Sequence, residues 1–499
     1  MNDDVGISDV RLIEDYLPIA ALSRENTTAK GHPNTLHLWW ARRPLRACRA
    51  AAYSALVSAD RWVKDITVRN PPTDLRKLAA IKECTKRGLN RRAAGEFITN
   101  LCMHPPLARV VQEAKRQIAE AYAERMTPTE TSESSDRRLE KSAPRPRVLD
   151  LFSGGGAIPL EAIRLGCEVS ANELNPVAHV IELCTLVYPQ LYGIADNAVG
   201  GATGQRNAEG QRTWGGLAAE VDHWGKLVFE KVKRQIGDLY PLIPDPAYKG
   251  KTLPNPDPTL FKSAGKSEAI PPGFLMPVAY LWTRTVPCKK PSCGAQVPMV
   301  RQTWLCKRKD RFVAMRPIND AKSKRVRFEI VEAETEDGFN FDPADFSRGG
   351  GTSCPFCGTV ADPDYTKEEG CGRGFGAQPT AIMCVRPGHS GKVYVPFADL
   401  GNLDREVARR LDQIENRTGL TPPTEPLEAN PRSFDVQRYG FDKWRAAFTE
   451  RQNLMHLTFA EQLRSSLAEI EQVVGDRNRA LALYTCIGLT FSRLVTQHN

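Results

Sequence analysis

Residues 148–162 read VLDLFSGGGAIPLEA. An apolar run ending in an acid, then a serine and three glycines, then an apolar-periodic segment, predicts strand, glycine loop and helix in succession. Arg147–Phe152 reads as a buried parallel strand, and Ala157–Leu165 as a helix stopped by Gly166, with Pro159 in its tolerant first turn. A second strand, Glu168–Glu173, again ends on an acid. Strand, loop, helix, strand, acid is the first half of a nucleotide-binding crossover, so the expected fold class is α/β with a Rossmann-like, partial core.

The loop narrows the ligand. Pro159 stands where G-x-G-x-x-G wants its third glycine, which weakens a pyrophosphate reading. Asp150, ahead of the glycines, repels a phosphate but suits a cation. S-adenosylmethionine carries an ammonium and a sulfonium and no phosphate. Asp150 and the loop would face its methionine part. Glu173, 23 positions after Asp150, lies close to the roughly 20-residue interval at which such an acid meets ribose hydroxyls. Asp150, Phe152, Ser153, Gly154, Gly155, Gly156, Glu173 and Asn175 are therefore the candidate cofactor residues. The plainer alternative is a triple-glycine turn that only joins a strand to a helix.

Working outward, residues 11–122 are patterned as helices, for example LRACRAAAYSALV after Pro44, with Leu45, Cys48, Ala52, Tyr53 and Leu56 at helical spacing. The polar, proline-containing stretch 127–147 reads as a linker. The expected division is a helical region 1–126, a linker 127–146, a cofactor half 147–285, a cysteine-bearing insertion 286–400 and a helical region 401–499. The acidic N-terminus lacks the basic and apolar regions of an export signal, and no apolar run reaches the roughly 18 residues of a membrane helix. A cytoplasmic protein with no membrane partner is expected. Lys plus Arg is 68 against Asp plus Glu 59, a net charge of +9 that suits a polyanion without demanding one.

The 13 cysteines include two pairs, Cys288 and Cys293 in CKKPSC and Cys354 and Cys357 in CPFC, each pair followed by glycine. Thiolates so spaced can meet one tetrahedral zinc from two loops, and four of them leave no open position for water, so the expected site is structural. Scattered buried thiols are the alternative, and Cys306, Cys371 and Cys384 read as such. Between the pairs, residues 301–328 are strongly basic with Trp304, Phe312 and Phe328 interleaved. That pattern fits either a phosphate-tracking surface with stacking faces or a solvated hairpin with core aromatics.

The stretch DLFSGGGAIPLEAIRLGCEVSANELNPVA, residues 150–178, resembles motif I and the following acidic strand of S-adenosylmethionine-dependent DNA amino-methyltransferases. GHPNTLHLWWARRP at 31–44, AYLWTRTVPCKKPSCGAQVP at 279–298 and YGFDKWRAAFTERQ at 439–452 are similar to bacterial adenine-specific DNA methylases containing a zinc ribbon. The resemblance implies methyl transfer to adenine N6 of DNA, with S-adenosylmethionine and structural zinc as cofactors. RNA base methylation and a non-catalytic nucleic-acid-binding role are the alternatives. In HLWWARRP, Arg42 and Arg43 can hold phosphate or pair with carboxylates of the methyltransferase core, and the group together can lid the cofactor or contact nucleic acid, although each residue singly reads as structural.

Amine methylation needs an acceptor for the NH2, a rigid carbonyl and a stacking ring, which D-P-P-Y supplies in such enzymes. Asn70-Pro71-Pro72-Thr73 lacks the ring, Asp245-Pro246-Ala247-Tyr248 lacks the second proline, and Thr421-Pro422-Pro423-Thr424 lacks acceptor and ring. The resemblance then implies a cofactor half without the base-binding half, explained by a complementing methylase chain or by a truncated gene. A parallel sheet with only its first strands would leave an open edge and a bare apolar face.

Overall fold

The computed structural model describes residues 10–23, 33–39, 41–126, 145–193, 205–206, 212–214, 216–251, 270–344, 351–397, 403–428 and 435–496. Trp40, most of the expected linker and the glycine-rich stretch after residue 193 fall outside them. The chain is a mixture of helix and sheet and divides into two compact units, Met1–His223 with Glu469–Leu494, and Trp224–Ala468 with Val495–Asn499.

In the first unit three long helices, α1 (Leu45–Leu56), α2 (Leu75–Leu101) and α3 (Ala108–Met126), follow three single-turn ones and precede the glycine loop. Asp74 caps α2 by accepting from the amides of Arg76 and Lys77 at 2.9 and 3.4 Å. Leu12, Tyr53, Ala94, Ile98, Leu101, Ala114 and Ile118 form one core, and Leu165, from the end of the glycine-loop helix, is part of it. That helix, α4 (Ala157–Arg164), is also held to α1 by a buried ion pair. Arg49 donates to Glu161 through Nε and Nη2 at 2.5 and 3.0 Å, and Nη1 donates to the carbonyls of Leu101 and Met103. Arg49 is 1% and Glu161 0% exposed, a burial tolerable only because the fork is satisfied on every side. The N-terminal helices and the glycine-loop helix thus share one interior.

Strand β1 (Arg147–Asp150) pairs in parallel with β2 (Glu168–Ala171), Arg147 opposite Glu168 and Asp150 opposite Ala171, and α4 packs against the pair. Both strands end two residues earlier than the sequence pattern predicts. The expectation that β1 is buried is corrected: Leu149 is 66%, Leu151 53% and Phe152 90% exposed. Parallel strands are buried when both faces are covered and both edges paired, and among the described residues this sheet has two strands only.

In the second unit β3 (Phe274–Pro287) pairs antiparallel with β4 (Gly376–Val385). Residues 274–285, expected with the cofactor half, therefore lie in the sheet that adjoins the cysteine pairs. A meander of Trp304–Arg308, Arg311–Asp320 and Arg325–Ala333 follows, with Val326 and Phe328 inward and Arg325, Arg327 and Glu329 outward, the period of two expected of a half-buried sheet. Helices Leu217–Ile236, Leu403–Thr418 and Glu450–Val474 meet through Val232, Ile236, Leu411, Ile414 and Leu454. No helix among the described residues is long and apolar enough to cross a membrane.

Candidate functional site

The candidate cofactor residues gather at one end of the β1–β2 pair. Gly154 (φ 55°) and Gly156 (φ 71°) are left-handed, and the Gly156 amide donates to the Ser153 carbonyl at 2.9 Å to close the loop onto α4. Glu173 ties the loop to the end of β2: Oε2 accepts from the Gly154 amide at 2.6 Å and Oε1 from the Asn175 amide at 2.9 Å. These amide bonds, that of Asn175 first, hold its carboxyl below the usual carboxylate range. Each oxygen retains a lone pair for a further donor. Asn175 caps the next helix, α5 (Pro176–Glu182), by accepting from Val177 and Ala178. Asp150 turns its carboxylate back onto the Phe152 amide at 3.2 Å, and Ser153 donates to the Asn172 carbonyl at 3.0 Å. Phe152 and Leu174, 90% and 95% exposed, offer open apolar surface beside these acids.

Three further residues close the loop. Trp39, 7% exposed, lies so near that a Cβ on Gly154 would stand 3.0 Å from its Nε1, and one on Gly155 would stand 2.9 Å from Arg42 Nη2. Arg42 Nη1 donates to the Gly155 carbonyl at 2.7 Å. Gly154 is thus favoured by its φ and by the Trp39 ring, and Gly155 lies in close approach to Arg42, 113 positions earlier. The third residue, Glu182, is 5% exposed, and a Cβ on Gly156 would lie 3.3 Å from its Cγ. Its Oε1 has no hydrogen-bond partner among the described residues. Burial raises its carboxyl pKa, the Ser153 hydroxyl opposes the rise, and the Glu173 and Asp150 charges add to it. The helix continues from Glu182 into a π-helical turn, Leu183–Val187, the kind of irregularity that recurs at functional sites.

His37 flanks Arg42. Its Nδ1 lies 3.0 Å from the Leu38 carbonyl, which can only accept, so Nδ1 carries the proton and Nε2 accepts from the Ser492 hydroxyl at 3.2 Å. Burial first, then the charges of Arg493 and Arg42, keeps this imidazole below its ordinary pKa. Arg43 is exposed.

The nearest approach to an acceptor motif is already occupied. Asp245 accepts both forks of Arg386 at 2.6 and 2.8 Å and the Ala247 amide at 3.0 Å, so its carboxylate is not presented to a substrate amine.

The four paired cysteines converge. Cys288 and Cys357 sulfurs are 3.5 Å apart, Cys293 and Cys354 3.8 Å, and all four lie within 4.8 Å of one another. A zinc–sulfur bond of about 2.3 Å implies tetrahedral sulfur separations of roughly 3.8 Å, which these distances fit. Gly294 and Gly358, both left-handed, turn the two knuckles, and Cys288 and Cys354 amides donate across them to Ala295 and Thr359 carbonyls. Burial pushes the Cys288 thiol up to about 12, whereas the Thr359 hydroxyl and amide bring Cys357 down to about 6. These four can bind a metal ion. Cys306, Cys371 and Cys384 do not join them.

On the neighbouring meander Arg311 and Arg316 pair with Glu332 and Glu329, and Lys307 lies over the Trp304 ring. Trp304 meets Phe312 and Phe339 edge-on, and Phe328 is core. The interleaved aromatics thus pack largely on protein.

Residues 16–81 match a family model described as a protein of unknown function, DUF1156. No curated protein and no solved structure matches the chain. The matched segment contains Trp39, Arg42 and Arg49, the residues that meet the glycine loop and its helix.

Proposed function

We propose that this chain is the donor-binding portion of an S-adenosylmethionine-dependent amino-methyltransferase acting on adenine N6 of DNA, its Rossmann-like core completed by a complementing polypeptide that carries D-P-P-Y. The observation that carries the reading is the convergence of Asp150, the three glycines and Glu173 at one end of a parallel pair. Beside the loop stand Asp150, Glu173 and the buried Glu182, whose Oε1 has no hydrogen-bond partner among the described residues. Such a group of acids suits a cationic, phosphate-free nucleoside. When bound, S-adenosylmethionine supplies an electrophilic methyl on a sulfonium. Asp150 would hold the ligand's ammonium, Glu173 the ribose hydroxyls through its remaining lone pairs, and Phe152 and Leu174 an apolar face for the base. The cysteine cluster would hold a structural zinc, since four thiolates fill a tetrahedron.

Two features support a complementing polypeptide. Asp245 is taken by Arg386, and Leu149, on a parallel sheet of two strands among the described residues, and Leu151, just after its first strand, lie bare.

Calorimetric titration of the intact chain with S-adenosylmethionine tests the donor site, with stoichiometric binding expected and no binding overturning it. Methyl transfer to DNA, compared with RNA, in the presence of a D-P-P-Y polypeptide tests the substrate.

A further inference from the structure

We propose that Arg42 is the carboxylate anchor of the glycine-loop site, so that the DUF1156-matched segment supplies the determinant that selects an amino-acid-bearing nucleoside. This deepens the donor-site reading and rests on it.

Arg42 uses one nitrogen on the Gly155 carbonyl, while Nε and Nη2 are buried and have no hydrogen-bond partner among the described residues. Among the described residues it makes no ion pair either, and burial lowers its pKa. A guanidinium carries five N–H donors in a rigid fork. Anchoring one carbonyl needs a single donor, which a neutral side chain would supply without the cost of burying a charge. The neighbouring His37 has its pKa lowered by burial first and then by the charges of Arg493 and Arg42, so the surroundings do not favour a further cation. The missing counter-charge is therefore an anion that arrives with the ligand. The guanidinium lies against the loop, Nη2 standing 2.9 Å from the place of a Cβ at Gly155. Asp150 and Glu173 bond to other amides of the same loop, those of Phe152 and Gly154, at the ends of the two strands. The loop thus carries a cation on one of its carbonyls and acids on its amides, the charges that a zwitterionic α-amino acid would meet. A phosphate would meet the arginine but be repelled by both acids.

The test uses the intact zinc-loaded chain and two ligands that differ only in the carboxylate, S-adenosylmethionine and decarboxylated S-adenosylmethionine. Wild type is expected to bind the first roughly 10- to 100-fold more tightly, the range of a hydrogen-bonded charge pair. Arg42→Ala is expected to remove that preference, weakening S-adenosylmethionine while leaving the decarboxylated ligand unchanged. Arg92→Ala, at an exposed position on α2, is expected to leave both constants unchanged. Should the alanine variant not fold, Arg42→Lys keeps a cation but loses the fork, and the preference is expected to fall several-fold. Equal weakening of both ligands by Arg42→Ala, or an unchanged preference in a folded variant, would overturn the anchor and leave the donor site standing. Failure of wild type to bind either ligand would remove both.

Discussion

Glu182 stores unfavourable energy next to the candidate donor site. Its folded-state pKa is raised above the ordinary 4.5 by burial and by Glu173 and Asp150. The folded chain therefore holds this proton more tightly than the unfolded chain. Its contribution to stability is complete below the unfolded value and is lost as pH rises through the folded one. Glu182→Gln should accordingly melt higher than wild type at pH 7 to 8, with the gain vanishing near pH 4.5 and below. Thermal denaturation across that range measures it, and a variant less stable at pH 8 would contradict the assignment. Asp150, the glycines and Glu173 were legible in sequence because a strand–loop–helix motif is local. Trp39 and Arg42 stood out as a signature, but their place on the loop depends on packing across more than a hundred residues. Glu182 could have been found: it lies four positions after Ala178 on the face that Ile181 helps bury, where an acid is out of pattern.

At the level of elements, α1 and α4 are joined by charge inside an apolar interior. Removing one partner of such a pair strands the other, so Arg49→Met should cost about 3–5 kcal/mol, measurable by urea denaturation. The double variant with Glu161→Leu should recover most of that loss. The helical periodicity of α1 was readable, whereas Arg49 on its buried face was not, since the partner that makes it tolerable is on another helix. The cysteine knuckles were readable because ligand spacing and the following glycines are both short-range. Cys293→Ser should lose stoichiometric zinc, measured by metal analysis after gel filtration, and lower the melting of the Cys288–Cys357 region. Unchanged zinc content would count against the cluster as its site. β1 misled because alternation within a strand does not tell how many strands flank it. A run such as VLDLF is buried only when neighbours arrive.

Over the whole molecule, the face bearing Leu149 and Leu151 is a liability for the isolated chain. Leu149→Thr with Leu151→Thr should reduce self-association in sedimentation velocity while changing stability by no more than about 0.5 kcal/mol per site, as exposed positions allow. The same pair should weaken capture of a D-P-P-Y polypeptide. A marked loss of stability instead would mean that the face is covered. The division into units was only partly legible, because the first unit is assembled from both sides of the second, Met1–His223 with Glu469–Leu494. That arrangement carries a consequence for synthesis. His37, beside the loop, bonds to Ser492 across 455 positions, so the glycine-loop side of the first unit stays unfinished while Trp224–Ala468 is being made. At roughly 5–20 residues per second that interval lasts on the order of ten to fifty seconds. On the ribosome the interrupting unit can fold first, and the glycine loop gains its full surroundings only when the last long helix emerges.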